Sequence, residues 1–155
     1  MTHLLNQAAS GFAAYKGIWV PLVAWFIAQL CKVIINLIRK RHLDFAYMYS
    51  PGGMPSAHSA LMTALATTIG LMYGFESPLF AIALVVAFIV MYDAAGVRRT
   101  VGHQSTVLNK MLDELFKGNK EFSQRLGEII GHTKWEVFVG ALLGIAFGII
   151  FTWPW

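Results

Sequence analysis

The chain has 155 residues, of which 57% are apolar and only 13% charged, with a formal net charge of +4. A soluble domain carries roughly 45–50% apolar and about 25% charged residues, so this chain has too few polar side chains to cover one soluble core. Cys31 is the only cysteine, no short repeat occurs, and no Arg-rich run stands outside the loop flanks. Disulfide scaffolds, coiled coils, collagen and nucleic-acid binding are thereby excluded. The class that remains is all-α: a polytopic membrane helix bundle, one domain over residues 1–155.

Taken in chain order, Leu4–Tyr15 is too short and too mixed to span a bilayer, and reads as an interfacial or re-entrant helix. It lacks the basic leader and cleavage site of a signal peptide and is expected to be retained. Four stretches then approach the roughly 20 residues a hydrocarbon core requires: Trp19–Ile38, Pro55–Tyr73, Pro78–Ala95 and Trp135–Trp153. Of the twelve Lys and Arg, three (Arg39, Lys40, Arg41) lie in the first loop and seven in the third. The turn Phe75–Ser77 and the tail have none. Basic loops stay cytoplasmic, which predicts outward termini and inward first and third loops. Within the third loop, Gln104–Phe116 and Glu121–Ile130 read as amphipathic helices on the inner membrane surface, separated by the helix stop Lys117–Lys120.

Several polar residues stand where a spanning helix disfavours them. Lys32, Asn36 and Arg39 fall at i, i+4 and i+7, so they share one face; Lys32 either points into the bundle or snorkels to the head groups. In Gly52-Gly53-Met54-Pro55-Ser56-Ala57-His58-Ser59 the glycines permit a sharp turn and Pro55 suits the first helical position. The free N–H groups of that first turn make an anion site, to which Ser56 can add a hydroxyl and His58 a proton. A plain capped helix start is the alternative. Arg98 and Arg99 either grip a phosphate or anchor the helix, with Asp93 as counter-ion. His132 and Glu136 are one turn apart, so the carboxylate can hold one imidazole nitrogen and leave the other as a nucleophile; an exposed pair without a role is the alternative. Gly140, Gly144 and Gly148 form overlapping GxxxG steps, open to a second copy of the chain or to the Ala60/Ala64 surface.

The orientation places all of these on the same side. Cationic donors, a helix N-terminus and two histidines around one anion describe phosphoryl transfer. The residues GGMPSAHSA, GVRRTVGHQSTVLNK and GHTKWEVFVGALLG together resemble the small divergent membrane branch of the type-2 phosphatidic acid phosphatase and vanadium haloperoxidase superfamily, and Pro55-Ser56-Ala57-His58 is similar to its PSGH motif. The resemblance runs from about Lys32 to Gly144. Lys32 and Arg39 have the Lys-x6-Arg spacing of the superfamily's first motif, with Lys40 in place of its proline. His132-x3-Glu136 matches the end of the third motif with Glu for Asp. Arg125 lies one residue too far from His132 and lacks the preceding serine, so Arg98 or Arg99 takes that position's work.

The resemblance implies His132 as the nucleophile that forms a phosphohistidine, Glu136 as its orienting partner and His58 as the general acid. Lys32, Arg39, Ser56, Arg98 and Arg99 become the phosphate ligands. No metal or cofactor is implied, and no acidic cluster suggests a metal site. The expected activity is a lipid phosphatase of a bacterial plasma membrane with its site facing the cytoplasm. Its substrate is phosphatidylglycerophosphate first, phosphatidic acid second and an isoprenyl diphosphate third. The competing readings are an outward-facing phosphatase and a non-catalytic lipid-binding or transport protein.

Overall fold

The computed structural model describes residues 15–40, 53–115 and 131–153, apart from the side chains of residues 39, 40, 98 and 99. Five helices occur among them: α1 (Lys16–Lys40), α2 (Ala57–Tyr73), α3 (Pro78–Ala95), α4 (Val97–Leu115) and α5 (Lys134–Thr152). The expected N-terminal helix within Leu4–Tyr15 and the loop helix Glu121–Ile130 fall outside the described residues, Tyr15 excepted. The all-α membrane bundle is as expected. Lys16–Ile38, Lys134–Thr152 and the Pro78–Leu115 segment are long and apolar enough to cross a bilayer. The fourth expected span, α2, has 17 residues, about 26 Å at 1.5 Å each, the short end of the spanning range.

Local sequence explains the boundaries. In α1 the ring of Pro21 crowds the carbonyl four residues back, which belongs to Gly17, a buried residue with no side chain. The α2–α3 connection is a tight turn. Gly74 has φ +89 and its N–H closes α2 on the Gly70 carbonyl at 2.9 Å, while the Ser77 hydroxyl accepts from Phe80 N–H and Pro78 occupies the first turn of α3. At the other end of α2 the helix starts later than its proline suggests. Ser56 is the N-cap, so Pro55 precedes the cap rather than opening the helix.

Gly96 ends α3 with its N–H on the Tyr92 carbonyl at 2.8 Å, and α4 starts at the next residue. The amphipathic helix expected from Gln104 therefore begins seven residues earlier, because Val97 and Val101 extend the stripe of Leu108, Met111 and Leu115 backwards at helical spacing. That stripe is exposed. Among the described helices α4 touches only α3.

α2 lies at the centre, packed by α1, α3 and α5. The interior is built from small residues: Ala24, Ala28, Ala57, Ala60, Ala64, Ala83 and Ala87 are buried, whereas Ile82, Phe88, Ile89 and Phe138 stay exposed. This distribution suits a bundle in lipid, where large apolar side chains gain little by facing inward and close backbone packing holds helices together. The closest packing joins α2 to α5. A Cβ on Gly140 would strike the Ser56 backbone, and one on Gly144 would strike the Ala60 carbonyl and the Thr63 hydroxyl. One on Gly148 would fall 2.6 Å from Thr67 Cβ. The glycine face is thus occupied within the chain by the Ala60/Ala64 surface, the second of the two partners the motif leaves open. Hydroxyls reinforce the seam: Thr63 Oγ1 lies 2.8 Å from the Ser59 carbonyl and 3.0 Å from that of Ala141, and the Thr152 hydroxyl donates to Thr68 at 3.2 Å. At the same end as Thr152, the Trp19 and Phe151 rings meet edge to face at 5.6 Å.

Replacing Gly144 by Leu should cost on the order of 3 kcal/mol or more, beyond the usual 1–3 for overpacking, since the obstruction is backbone. Leu142→Ala on the exposed face of the same helix should change stability by about 0.5 kcal/mol or less. Thermal unfolding in detergent compares the two.

Candidate active site

Opposite the aromatic end, the tips of α1, α2, α3 and α5 converge. The Ser56 N–H donates to the Glu136 carbonyl at 3.0 Å, tying the start of α2 to the first turn of α5. The His132 N–H donates to the Ala94 carbonyl at 3.1 Å, tying the entry of α5 to the last turn of α3. From α1, the buried Lys32 runs its stem past Gly53, whose φ of +83 turns the chain into α2, about 4.0 Å from where a Cβ there would sit. Lys32 also feels the charge of Glu136 electrostatically.

His132 is 5% exposed and its Nδ1 lies 3.2 Å from Glu136 Oε2. A carboxylate accepts only, so this contact puts the proton on Nδ1 and the lone pair on Nε2. His132 itself precedes the helix. Thr133 is the N-cap, its hydroxyl accepting from Glu136 N–H at 3.3 Å while its own N–H donates to Glu136 Oε2 at 2.9 Å. This capping box was missed in the sequence analysis, although Thr133-Lys134-Trp135-Glu136 carries its T-x-x-E signature. One carboxylate oxygen therefore both closes the helix and orients the imidazole.

Lys32, Ser56, His132 and Glu136 are brought together. The Ser56 hydroxyl is fully buried and accepts from Ser59 N–H at 3.4 Å and from the Ser59 hydroxyl at 3.0 Å. These contacts make it the enclosed cap of α2 and use its lone pairs, leaving its own O–H to donate. His58 occupies the first turn of α2 and is exposed. The backbones of Arg39, Arg98 and Arg99 belong to the same end of the bundle, but their side chains, like all of Arg125, lie outside the described residues. Among the described residues no cluster of His, Cys, Asp and Glu is arranged to hold a metal.

Residues 14–147 match the model of the divergent PAP2 family. The chain belongs to that family. The chain is 41% identical over 140 residues to the "Uncharacterized membrane protein YuiD" of Bacillus subtilis (strain 168), covering 83% of this chain and 89% of the relative. No solved structure matches. A PAP2-like integral membrane protein is consistent with the apolar helices and with the converging tips.

The shared carboxylate separates two roles by mutation. Thr133→Ala should lower stability by about 1 kcal/mol, as for loss of an N-cap, and leave the His132 ring nitrogens unchanged by ¹⁵N NMR. Glu136→Ala should lower it further and also collapse the preference for the Nδ1–H tautomer.

Proposed function

We propose that the protein is a membrane-embedded phosphatase that hydrolyses a lipid phosphomonoester through a phosphohistidine. The observation that carries this reading is the buried His132 with Nδ1 held by Glu136, in electrostatic company with a buried lysine. His132 Nε2 attacks phosphorus as the P–O bond to the lipid alcohol breaks, and His58 gives its proton to the departing oxygen. Water then attacks the phosphohistidine, His58 accepts its proton, and inorganic phosphate leaves. Lys32, Arg39, Arg98 and Arg99 stabilise the charge that spreads over the phosphoryl oxygens. Ser56 acts indirectly, by capping α2 and fixing the turn that carries His58.

The basic loops favour a cytoplasmic site, and a substrate made in the cytoplasmic leaflet fits it. Phosphatidylglycerophosphate is therefore the first choice and phosphatidic acid the second.

Purified protein should release phosphate from mixed micelles of such a lipid in the presence of a chelator, and vanadate should suppress the release. His132→Ala should reduce the rate at least a thousandfold, and His58→Ala about a hundred- to ten-thousand-fold. Full activity in the His132→Ala protein would remove the mechanism. Release from none of the lipids, with retained lipid binding, would favour a non-catalytic role.

Orientation is tested separately in a Cys31→Ser background. A cysteine replacing the exposed Glu76 in the α2–α3 turn should react with an impermeant reagent on intact cells, and one replacing the exposed Lys110 on α4 should not. The reverse pattern would turn the site outward.

A further inference from the structure

Gln29 lies on α1 at 8% exposure, and its Oε1 is buried with no hydrogen-bond partner among the described residues. A buried amide oxygen left unsatisfied is costly, and more so at a depth where no bulk water competes for it. Trp25 and Lys32, about one turn to either side on α1, carry side-chain donors, but neither bonds it. Gln29, Lys32 and Asn36 stand at i, i+3 and i+7, within about 60° of one another around the helix. Gln29 is thus on the same side as the buried lysine, and three residues, about 4.5 Å, farther from the basic end of the bundle.

We propose that Gln29 is a specificity-determining residue, whose side-chain oxygen accepts a hydrogen bond from a free hydroxyl on the lipid alcohol, next to the carbon that carries the phosphate. This rests on the phosphatase reading, with the phosphoryl group held beside Lys32 and His132. A lipid phosphate seated there directs its alcohol toward the bilayer centre along the α1 face that carries Gln29, and the amide swings out of its enclosed position to meet it. A prenyl chain brings only hydrocarbon to that point, and a diacylglycerol brings ester oxygens, which are acceptors. A glycerol with its central hydroxyl free brings the donor that Oε1 lacks. The substrate class is accordingly a glycerol phosphomonoester with an unesterified central hydroxyl, which either a bridging glycerol head group or a single-chain glycerolipid supplies.

The test needs no turnover. Full-length protein in detergent is titrated with two non-hydrolysable probes, a hexadecyl glycerol phosphonate with a free central hydroxyl and its deoxy counterpart. A third probe carries the hydroxyl on a glycerol bridging two phosphorus centres, and its affinity relative to the first distinguishes the two lipid sources. The wild type should bind the hydroxyl probe about tenfold more tightly than the deoxy probe. Gln29→Met, which keeps the length of the side chain, should bind both alike and unfold at no lower temperature. No preference in the wild type overturns the assignment. So does a preference surviving in Gln29→Met, or a marked loss of its stability, which would mean that water or the protein already serves the amide. Binding of neither probe by folded wild type would take the anion site down with it. Preference without phosphate release would sink only the phosphatase reading.

Discussion

The rest of the structure depends on how closely α2 and α5 approach. Three glycines on α5 put its backbone against Ser56, Ala60 and Thr67 of α2, closer than any side chain would permit. Water supplies no hydrophobic drive between helices inside a bilayer, so such contact, with the hydroxyl bonds it allows, is the main source of association. The seam sets the register of the two helices, and register decides which residues face one another at the basic end. The hydrogen bond from Ser56 N–H to the Glu136 carbonyl is the last rung of that seam and the first element of the site.

Packing and chemistry are thus continuous along one line of residues. Gly148, Gly144 and Gly140 lead directly to Glu136, which leads to His132 through a shared oxygen and, by the His132 backbone, to the end of α3. The serines and threonines of α2 serve the same seam. Ser59 bonds Ser56, and Thr63 reaches α5, so this polar stripe is spent on helix contacts. A fault anywhere along the seam would be felt at the imidazole without touching it.

Much of this was readable in the sequence. Apolar lengths located α1, α3 and α5, and the i, i+4 spacing of His132 and Glu136 foretold their contact. GxxxG reported a close approach, but the motif has no term for the partner. Only the presence of α2 across the seam shows that the face is already filled. Pro55 misled because a proline is favourable at the first helical position, whereas a serine with an extended backbone caps better and moves the start onward. The early start of α4 was hidden because Arg98, Arg99 and Thr100 interrupt the valines that continue its stripe. The isolation of the Gln29 oxygen could not be read at all, since a sequence reveals a polar residue in a span but not whether anything answers it.

The charges at the converging tips finally explain why a lysine is buried there. Thr133 N–H and His132 Nδ1 both meet the same Glu136 oxygen, and the N-terminal end of α5 favours a negative charge there. Left alone, the carboxylate would repel an arriving phosphate. The positive charge of the buried Lys32, which feels that carboxylate electrostatically, offsets it. Neutralisation alone does not attract a dianion, however. For the proposed reaction the surplus positive charge would come from the arginines at the end of α1 and at the α3–α4 junction. In the proposed reaction Lys32 and Glu136 would hold the nucleophile at no net charge, and Arg39, Arg98 and Arg99 would supply the field that draws the substrate to it.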